Sequence, residues 1–417
     1  MDNSREPRSP LHLPAFREYT VSRLSSGMAT SMLQAVILWQ MYALTGSTLS
    51  LGLVGLVGFG AALASSLLGG AVVDSYDRRR VLLLAQLVPG LASAAMLAAI
   101  ATGSVTDYLV YATVLVTGIA SSFEAPARQA ILPAIIPREL FVRGMTTNSA
   151  VSSATSISGP ALAGMLIALG GVGLAYGIHL ALVVISLGML LHLHLPPLRG
   201  GARVAVESVR EGIAFVRYRP VLLGAMTLDM FAVLFGGAKA LLPVYAVDVL
   251  HADALGYGVL SASLEVGTLL MALVLLALPT PRHTGMLLLG SVAAFGLATI
   301  LFGISTWLPL SVVAYGLVGM ADQVSMVMRQ NTIQLNTPDA LRGRVTAVES
   351  IFISASNELG ALESGMVAAA TSAMFAVVSG GFACLLVVAV VAWRLPALRQ
   401  HKTIVSHEWA EAAVSVR

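Results

Sequence analysis

The sequence predicts an all-α membrane protein: twelve transmembrane helices in two pseudo-symmetric six-helix bundles. Three observations predict it. Apolar stretches recur at bilayer-spanning length, basic residues sort to one side of them, and the second half of the chain repeats the first. Apolar residues make up 57% of the 417 and charged residues only 11%. A soluble domain carries about 25% charge, so this chain lacks the polar surface to face water on all sides. About 20 apolar residues in a helix cross the ~30 Å of hydrocarbon in a bilayer.

Apolar runs bounded by charge or turn residues give spans at 21–44, 51–73, 81–103, 108–127, 147–169, 173–195, 221–246, 257–278, 284–303, 308–328, 346–369 and 372–394. The first is long, dotted with polar residues and lacks a small-x-small cleavage site, which argues against a cleaved signal peptide. Of the 24 basic residues, all but Lys239 fall in the tails, the even-to-odd loops or at their helix boundaries. The odd-to-even loops have none. Under the positive-inside rule both termini then lie in the cytoplasm. A wrong span count would scramble this parity. The resulting domains are an N-terminal bundle with its tail over 1–195, a cytoplasmic linker over 196–220, a C-terminal bundle over 221–394 and a cytoplasmic tail over 395–417. Within the linker, Val206, Val209, Ile213 and Val216 recur at helical spacing, and Arg203, Arg210 and Arg217 form a stripe. That pattern suits an amphipathic helix on the anionic inner leaflet.

Displacing the chain by 201 residues superimposes the halves. Gly118, Ala120, Arg128, Gln129, Pro137, Leu140 and Arg143 fall on Gly319, Ala321, Arg329, Gln330, Pro338, Leu341 and Arg344. The register continues without a gap from Ser149, Ser153, Ala154, Gly159 and Gly164 to Ser350, Ser354, Ala355, Gly360 and Gly365. Parallel repeats of this kind place a site between the halves near mid-bilayer.

Ionisable groups inside a bilayer are costly and face a cavity or a partner. Apart from Arg394 at the very end of span 12, spans 3, 6, 9 and 12 contain no Asp, Glu, Lys or Arg and read as lipid-facing scaffold, with His179 a packed imidazole. Polar side chains gather elsewhere: Gln34 and Gln40, then Asp229 and Lys239, Glu265, Asp322, and Glu349, Asn357, Glu358 and Glu363. Lys239 and Glu265 lie at similar depths, roughly 10–12 Å from the outer ends of adjacent spans, and are expected to pair. A single cysteine, Cys384, reads as a small core residue, and no Cys/His spacing suggests a metal. There is no His-Glu-x-x-His, nucleophile elbow or phosphate-cradling Gly-Lys-Ser/Thr. The absence of these motifs argues against an intramembrane hydrolase and against ATP drive.

The turn after span 2, from Gly70 and Asp74 to Arg78 and Arg79, resembles the Gly-x-x-x-Asp-x-x-x-Arg-Arg/Lys signature of the major facilitator superfamily. The resemblance implies a cytoplasmic gate in which Asp74 turns toward a helix terminus and Arg78 seeks an acid, with Glu124 the nearest. The corresponding turn at Pro279–His283 has lost the pattern. Gly159, Pro160 and Gly164 resemble the Gly-Pro signature of superfamily antiporters, with Thr155 and Ala163 where that pattern has glycines. Phe16-Arg17, the Tyr42–Ser47 segment, Pro126–Gln129, Leu242-Pro243 and the Asn357–Gly365 segment are similar to the branch containing bacterial enterobactin exporters and macrolide efflux proteins.

The resemblance implies a multi-pass protein of the bacterial inner membrane, working as a monomer by alternating access. It would export small amphiphilic molecules such as drugs, macrolide-like compounds or siderophores. The partners are then the bilayer and the small-molecule cargo, with no nucleic acid, and the energy source is the proton gradient rather than a cofactor. A carboxylate that loads a proton on one side and releases it on the other couples flux to that gradient. Glu358 is the leading candidate, with Asp229 and Glu363 as rivals. Because the intramembrane charges are mostly acidic, they favour neutral or cationic cargo, although Lys239 or Arg23 offers a place for an anion. An uptake carrier or a non-transporting sensor is the alternative.

Overall fold

The computed structural model describes residues 9–193, 206–279, 281 and 283–401; within them, residues 62, 64, 66–75, 206–210, 212, 339 and 340 are described by backbone alone. The long helices are α1 (Pro14–Thr45), α2 (Thr48–Ser75), α3 (Arg78–Thr102), α4 (Asp107–Ile135) and α5 (Phe141–His192). After a short α6 (Val206–Arg217) come α7 (Pro220–Gly236), α8 (Ala254–Ala277), α9 (Thr284–Ile304), α10 (Leu308–Leu335), α11 (Asp339–Ala370), α12 (Ala373–Arg394) and a final turn, α13 (Pro396–Arg399). No strand occurs among the described residues. In hydrocarbon every backbone N–H and C=O must be satisfied internally, and helices achieve this. Eight helical stretches among the described residues are long and apolar enough to cross a membrane.

One of those stretches holds two crossings. Inside α5, Gly170 and Gly171 leave helical geometry, and Gly171 takes φ 71°, a left-handed conformation that glycine adopts without steric cost. Its two arms are predicted spans 5 and 6, so helices stand at all twelve predicted positions. Caps fix several ends. Thr106 and Ser372 accept from the amides of Leu109 and Phe375 at 3.3 and 3.1 Å, satisfying donors that a helix start leaves open. Gly46 and Gly103 close α1 and α3 in the left-handed region.

Several helix ends differ from expectation. Helices α4 and α10 run seven or more residues past the spans read at 108–127 and 308–328, and α11 starts seven before 346. The sequence reading bounds these spans at arginines: Arg128, Arg329 and Arg344. A helix continues past the hydrocarbon wherever its charges find partners, and here Arg128 and Arg329 lie inside helices, 5% and 4% exposed.

The chain divides into two compact units: Met1–Val204 with Ala240–Ala262, and Ala205–Lys239 with Ser263–Arg417. In the first, α1 lies against α5. The Thr155 hydroxyl stands 2.8 Å from where a Cβ on Gly27 would be, and Gly159 meets Ser31 one turn further on. Thr155 thus departs from the glycine of the antiporter pattern because the glycine sits opposite it, on α1. Residues 240–262 complete this unit. Tyr257 donates to the Ala35 carbonyl at 3.0 Å, Tyr42 donates to the Asp248 carboxylate, and Gly164 and Gly258 bring their backbones into contact.

In the second unit, glycines again set the spacing. Gly267 rests on the Gly316 carbonyl and Gly319 on that of Leu264, so α8 and α10 touch backbone to backbone. Helix α6 corrects a sequence expectation. Its Val216 is buried with Leu222, Met226, Ile333 and Val345, and its Glu211 pairs with Arg344. That part of the apolar face packs on protein rather than on the leaflet; Arg203 and the side chain of Arg210 lie outside the described residues. Cys384 and His179 are core residues as expected, with His179 Nδ1 2.8 Å from Ser93 Oγ.

A Cβ at Gly159 would sit 2.5 Å from Ser31 Cβ and 2.9 Å from the Met32 amide nitrogen, whereas one at Gly177 would meet nothing within 4 Å. Gly159→Ala is therefore expected to destabilise the protein by about 1–3 kcal/mol through overpacking, while Gly177→Ala leaves it unchanged or firmer. Melting temperatures of the two variants in detergent test this.

Candidate functional site

Three polar clusters occupy the membrane-embedded helices. In the first unit, Arg128 of α4 is held by Glu124 one turn before it, Nε to Oε1 at 2.8 Å. Its Nη2 donates to Ser26 Oγ of α1 at 2.6 Å, and its guanidinium lies 6.0 Å from the Tyr19 ring. The network continues inward: Gln86 donates to Glu124 at 3.3 Å, Ser186 donates to Gln86 Oε1 at 2.7 Å, and Ser22 and Ser186 share a hydrogen bond of 2.8 Å. Buried polar groups cost free energy unless paired, and this chain of partners keeps α1, α3, α4 and α5 in one register.

The second unit carries the counterpart at the repeat-related position. Arg329 of α10 pairs with Asp229 of α7 and, at 3.2 Å, with Glu349 of α11. All three side chains are at most 10% exposed. Two carboxylates thus surround one guanidinium, so three helices are tied by charge at the same level.

The third cluster lies where α7 breaks. Gly237 turns to φ −75°, ψ 86°, and the chain resumes as a short turn beginning at Lys239. A broken helix leaves carbonyls without amide partners, and neighbouring helices accommodate them. Ser364 of α11 donates to the Gly237 carbonyl at 3.3 Å. A Cβ on Gly360 would sit 2.9 and 3.0 Å from the carbonyl oxygens of Leu234 and Val233, and Gly380 of α12 rests on that of Phe235. Glycines on α11 and α12 leave room for the break. Lys239 emerges exposed at its end, within electrostatic range of the half-buried Glu358. Glu363 lies beside Ser364, and Asn357 bonds back to the Ile353 carbonyl of its own helix at 2.9 Å. Asp322 interacts electrostatically with Glu265 across the α8–α10 contact.

These positions sort the sequence-predicted residues. The expected Lys239–Glu265 ion pair does not form; Lys239 answers to Glu358 instead, because the break at Gly237 carries the lysine toward α11. Asp229 is engaged by Arg329. The expected Arg78–Glu124 contact does not form either, because Glu124 has a guanidinium one turn away on its own helix. Arg78 Nη1 caps the Ala130 carbonyl at 3.3 Å, and Arg79 donates to the carbonyls of Leu190, at 2.8 Å, and Leu191, where cations suit a helix C-terminus. Asp77 caps α3 by accepting from the Arg79 amide at 2.9 Å. Gly70 and Asp74 fall in the last turns of α2, and their side chains lie outside the described residues. Gln34 is exposed on α1. Gly159 and Gly164 make close backbone contacts, and Pro160 offers its carbonyl 3.1 Å from where a Cβ on Gly258 would sit. The sequence reading missed Arg128 and Arg329 as buried anchors by assigning both to the cytoplasmic side. The signal was present: they are an identical arginine pair in the register of the internal repeat.

The family of transmembrane secretion effectors matches residues 5–417. The chain belongs to this family of major facilitator superfamily transporters. It is 27% identical over 375 residues to the enterobactin exporter EntS of Shigella dysenteriae serotype 1, covering 90% of each chain. The same figures hold for EntS of Escherichia coli O1:K1. Among solved structures, a mutant of the peptide transporter POT superimposes with TM-score 0.71 at 12% identity, covering 95% of this chain and all of that one. At that identity the likeness speaks for the fold alone. As a member of this family the chain is a multi-pass inner-membrane transporter.

Removing one partner of a buried ion pair strands the other. Asp229→Asn and Glu349→Gln each remove a charge beside Arg329, and each is expected to cost up to about 3–5 kcal/mol. The double variant is expected to cost clearly less or more than the sum, since the sites share a partner. Thermal unfolding of the single and double variants measures both.

Proposed function

We propose that this transporter is a proton-coupled antiporter that exports small amphiphilic molecules, of the drug, macrolide or siderophore kind, by alternating access. The observation that carries the reading is the third cluster. A lysine stands at a helix break, where unwound backbone creates a site in membrane carriers, and a half-buried glutamate without a second cation lies in range of it. Glu358 is assigned the proton. Ionised, it holds cargo beside Lys239; protonated, it loses the charge that holds it. Competition between proton and cargo for one carboxylate links proton loading to cargo release with no cofactor. Asp322 and Glu265, two acids that repel when both are charged, provide the next place for a proton, and Glu363 a further one.

The likeness to proteins named enterobactin exporters supports export over uptake and a siderophore-like cargo. The sorted arginines support a topology with both termini in the cytoplasm and the His251–Asp253 turn outside. The Arg78–Arg79 turn, clamped to the ends of α4 and α5, serves as the cytoplasmic gate. Gly159, Pro160 and Gly164 serve as the tightly packed antiporter element.

In inside-out vesicles, the wild type is expected to accumulate cargo when the lumen is made acidic. Glu358→Gln abolishes that accumulation while leaving downhill exchange in place. Unchanged coupling in this variant would remove Glu358 from the mechanism. A deletion strain is expected to retain the cargo that its parent secretes, or to become more susceptible to it.

A further inference from the structure

The two repeat-related arginines are not electrostatically equivalent. Arg329 faces two carboxylates. In the register that carries Arg329 onto Arg128, Glu349 falls on Asn148, and Ser325 falls on Glu124. Arg128 therefore keeps one carboxylate, and on α1 its partner is the Ser26 hydroxyl rather than an acid. A second cation adds to the imbalance. Arg23, also on α1, is within electrostatic range of Arg128 and of Glu124, and its Nη2 donates to Ser152 Oγ at 3.2 Å. Among the described residues, two guanidiniums share one acid.

This excess is buried and incompletely bonded. Arg128 is 5% exposed, yet its Nη1 makes no hydrogen bond, and the buried Oδ1 of Asn148, one turn before Ser152 on α5, makes none either. A buried, uncompensated cation is costly, and the second unit shows how the same fold compensates it with acids. The first unit lacks those acids while keeping the arginine.

We propose that Arg128, Arg23, Asn148 and Ser152 form an anion subsite near the cytoplasmic end of the first unit, which takes a carboxylate of the cargo. A planar guanidinium binds a planar oxyanion through paired N–H donors, Arg128 Nη1 supplies an unused donor, the Ser152 hydroxyl can donate beside it, and the unpaired Asn148 Oδ1 is left to accept from an N–H or O–H elsewhere on the cargo. This deepens the exporter reading and rests on it for the identity of the occupant as cargo. It also revises the cargo charge inferred from the intramembrane acids: these lie in the second unit, and the first is poised for an anion.

The test uses the full-length protein in nanodiscs of phosphatidylcholine alone, with benzoate as anionic probe and benzamide as its neutral partner. The wild type is expected to bind the carboxylate about tenfold or more tighter than the amide, as charge pairing in a desolvated site allows. Asn148→Glu installs the acid of the second unit beside an intact Arg128. It is expected to abolish that preference without lowering the melting temperature, and Arg128→Lys is expected to weaken it. Equal affinity of the wild type for both probes, or an undiminished preference in Asn148→Glu, would overturn the subsite. Displacement of the carboxylate by 10 mol% phosphatidylglycerol would assign the site to a lipid phosphate and overturn it as a cargo site. Proton-driven flux in inside-out vesicles reads separately: its absence in a wild type that shows the preference sinks the exporter reading and leaves the subsite standing.

Discussion

The pairing of buried guanidiniums organises both halves of this transporter. An arginine in a low-dielectric helix bundle must find acceptors, and the neighbours that supply them are fixed in place by doing so. In the second unit the acceptors are Asp229 and Glu349, from α7 and α11, so three helices are pinned at one level. In the first they are Glu124 and Ser26, backed by Gln86 and Ser186. The unwound stretch of α7 begins eight residues beyond Asp229, so the same ion pair that anchors the first part of the helix leaves its far end to adopt the break that presents Lys239.

Close glycine contacts supply the complementary constraint. Gly27 opposite Thr155, Gly159 opposite Ser31, and Gly267 and Gly319 against α10 and α8 bring backbones together, where lipid gives helices little hydrophobic reason to associate. Gly360 and Gly380 do more, accommodating the carbonyls of the interrupted α7. Rigid contacts of this kind leave the polar groups at the break as the part of the second unit whose charge state is free to change.

Much of the fold was legible because the bilayer imposes it. Length, hydropathy and the arginine parity placed twelve helices, and the 201-residue register placed α4 and the first arm of α5 on α10 and α11. Helix ends were less legible, since a span read by hydropathy stops at Arg128 or Arg329 while the helix carries on. The partners were least legible. Lys239 was matched to Glu265 by depth along ideal helices, a measure that a break at Gly237 invalidates. Arg78 was matched to Glu124 by proximity in the turn, without weighing the i,i+4 arginine already beside it. Departures from ideal helix geometry and competition among charges are not carried by composition or periodicity.

The account turns on the α7 break lining an aqueous route rather than facing lipid or packed protein. Labelling of Lys239→Cys in a Cys384→Ser background, with a membrane-impermeant thiol reagent, tests this most directly. The account predicts modification from the aqueous phase at a rate that changes when a pH gradient is imposed. A cysteine there that ignores water-soluble reagents under every gradient, and reacts only with lipid-soluble ones, would contradict it.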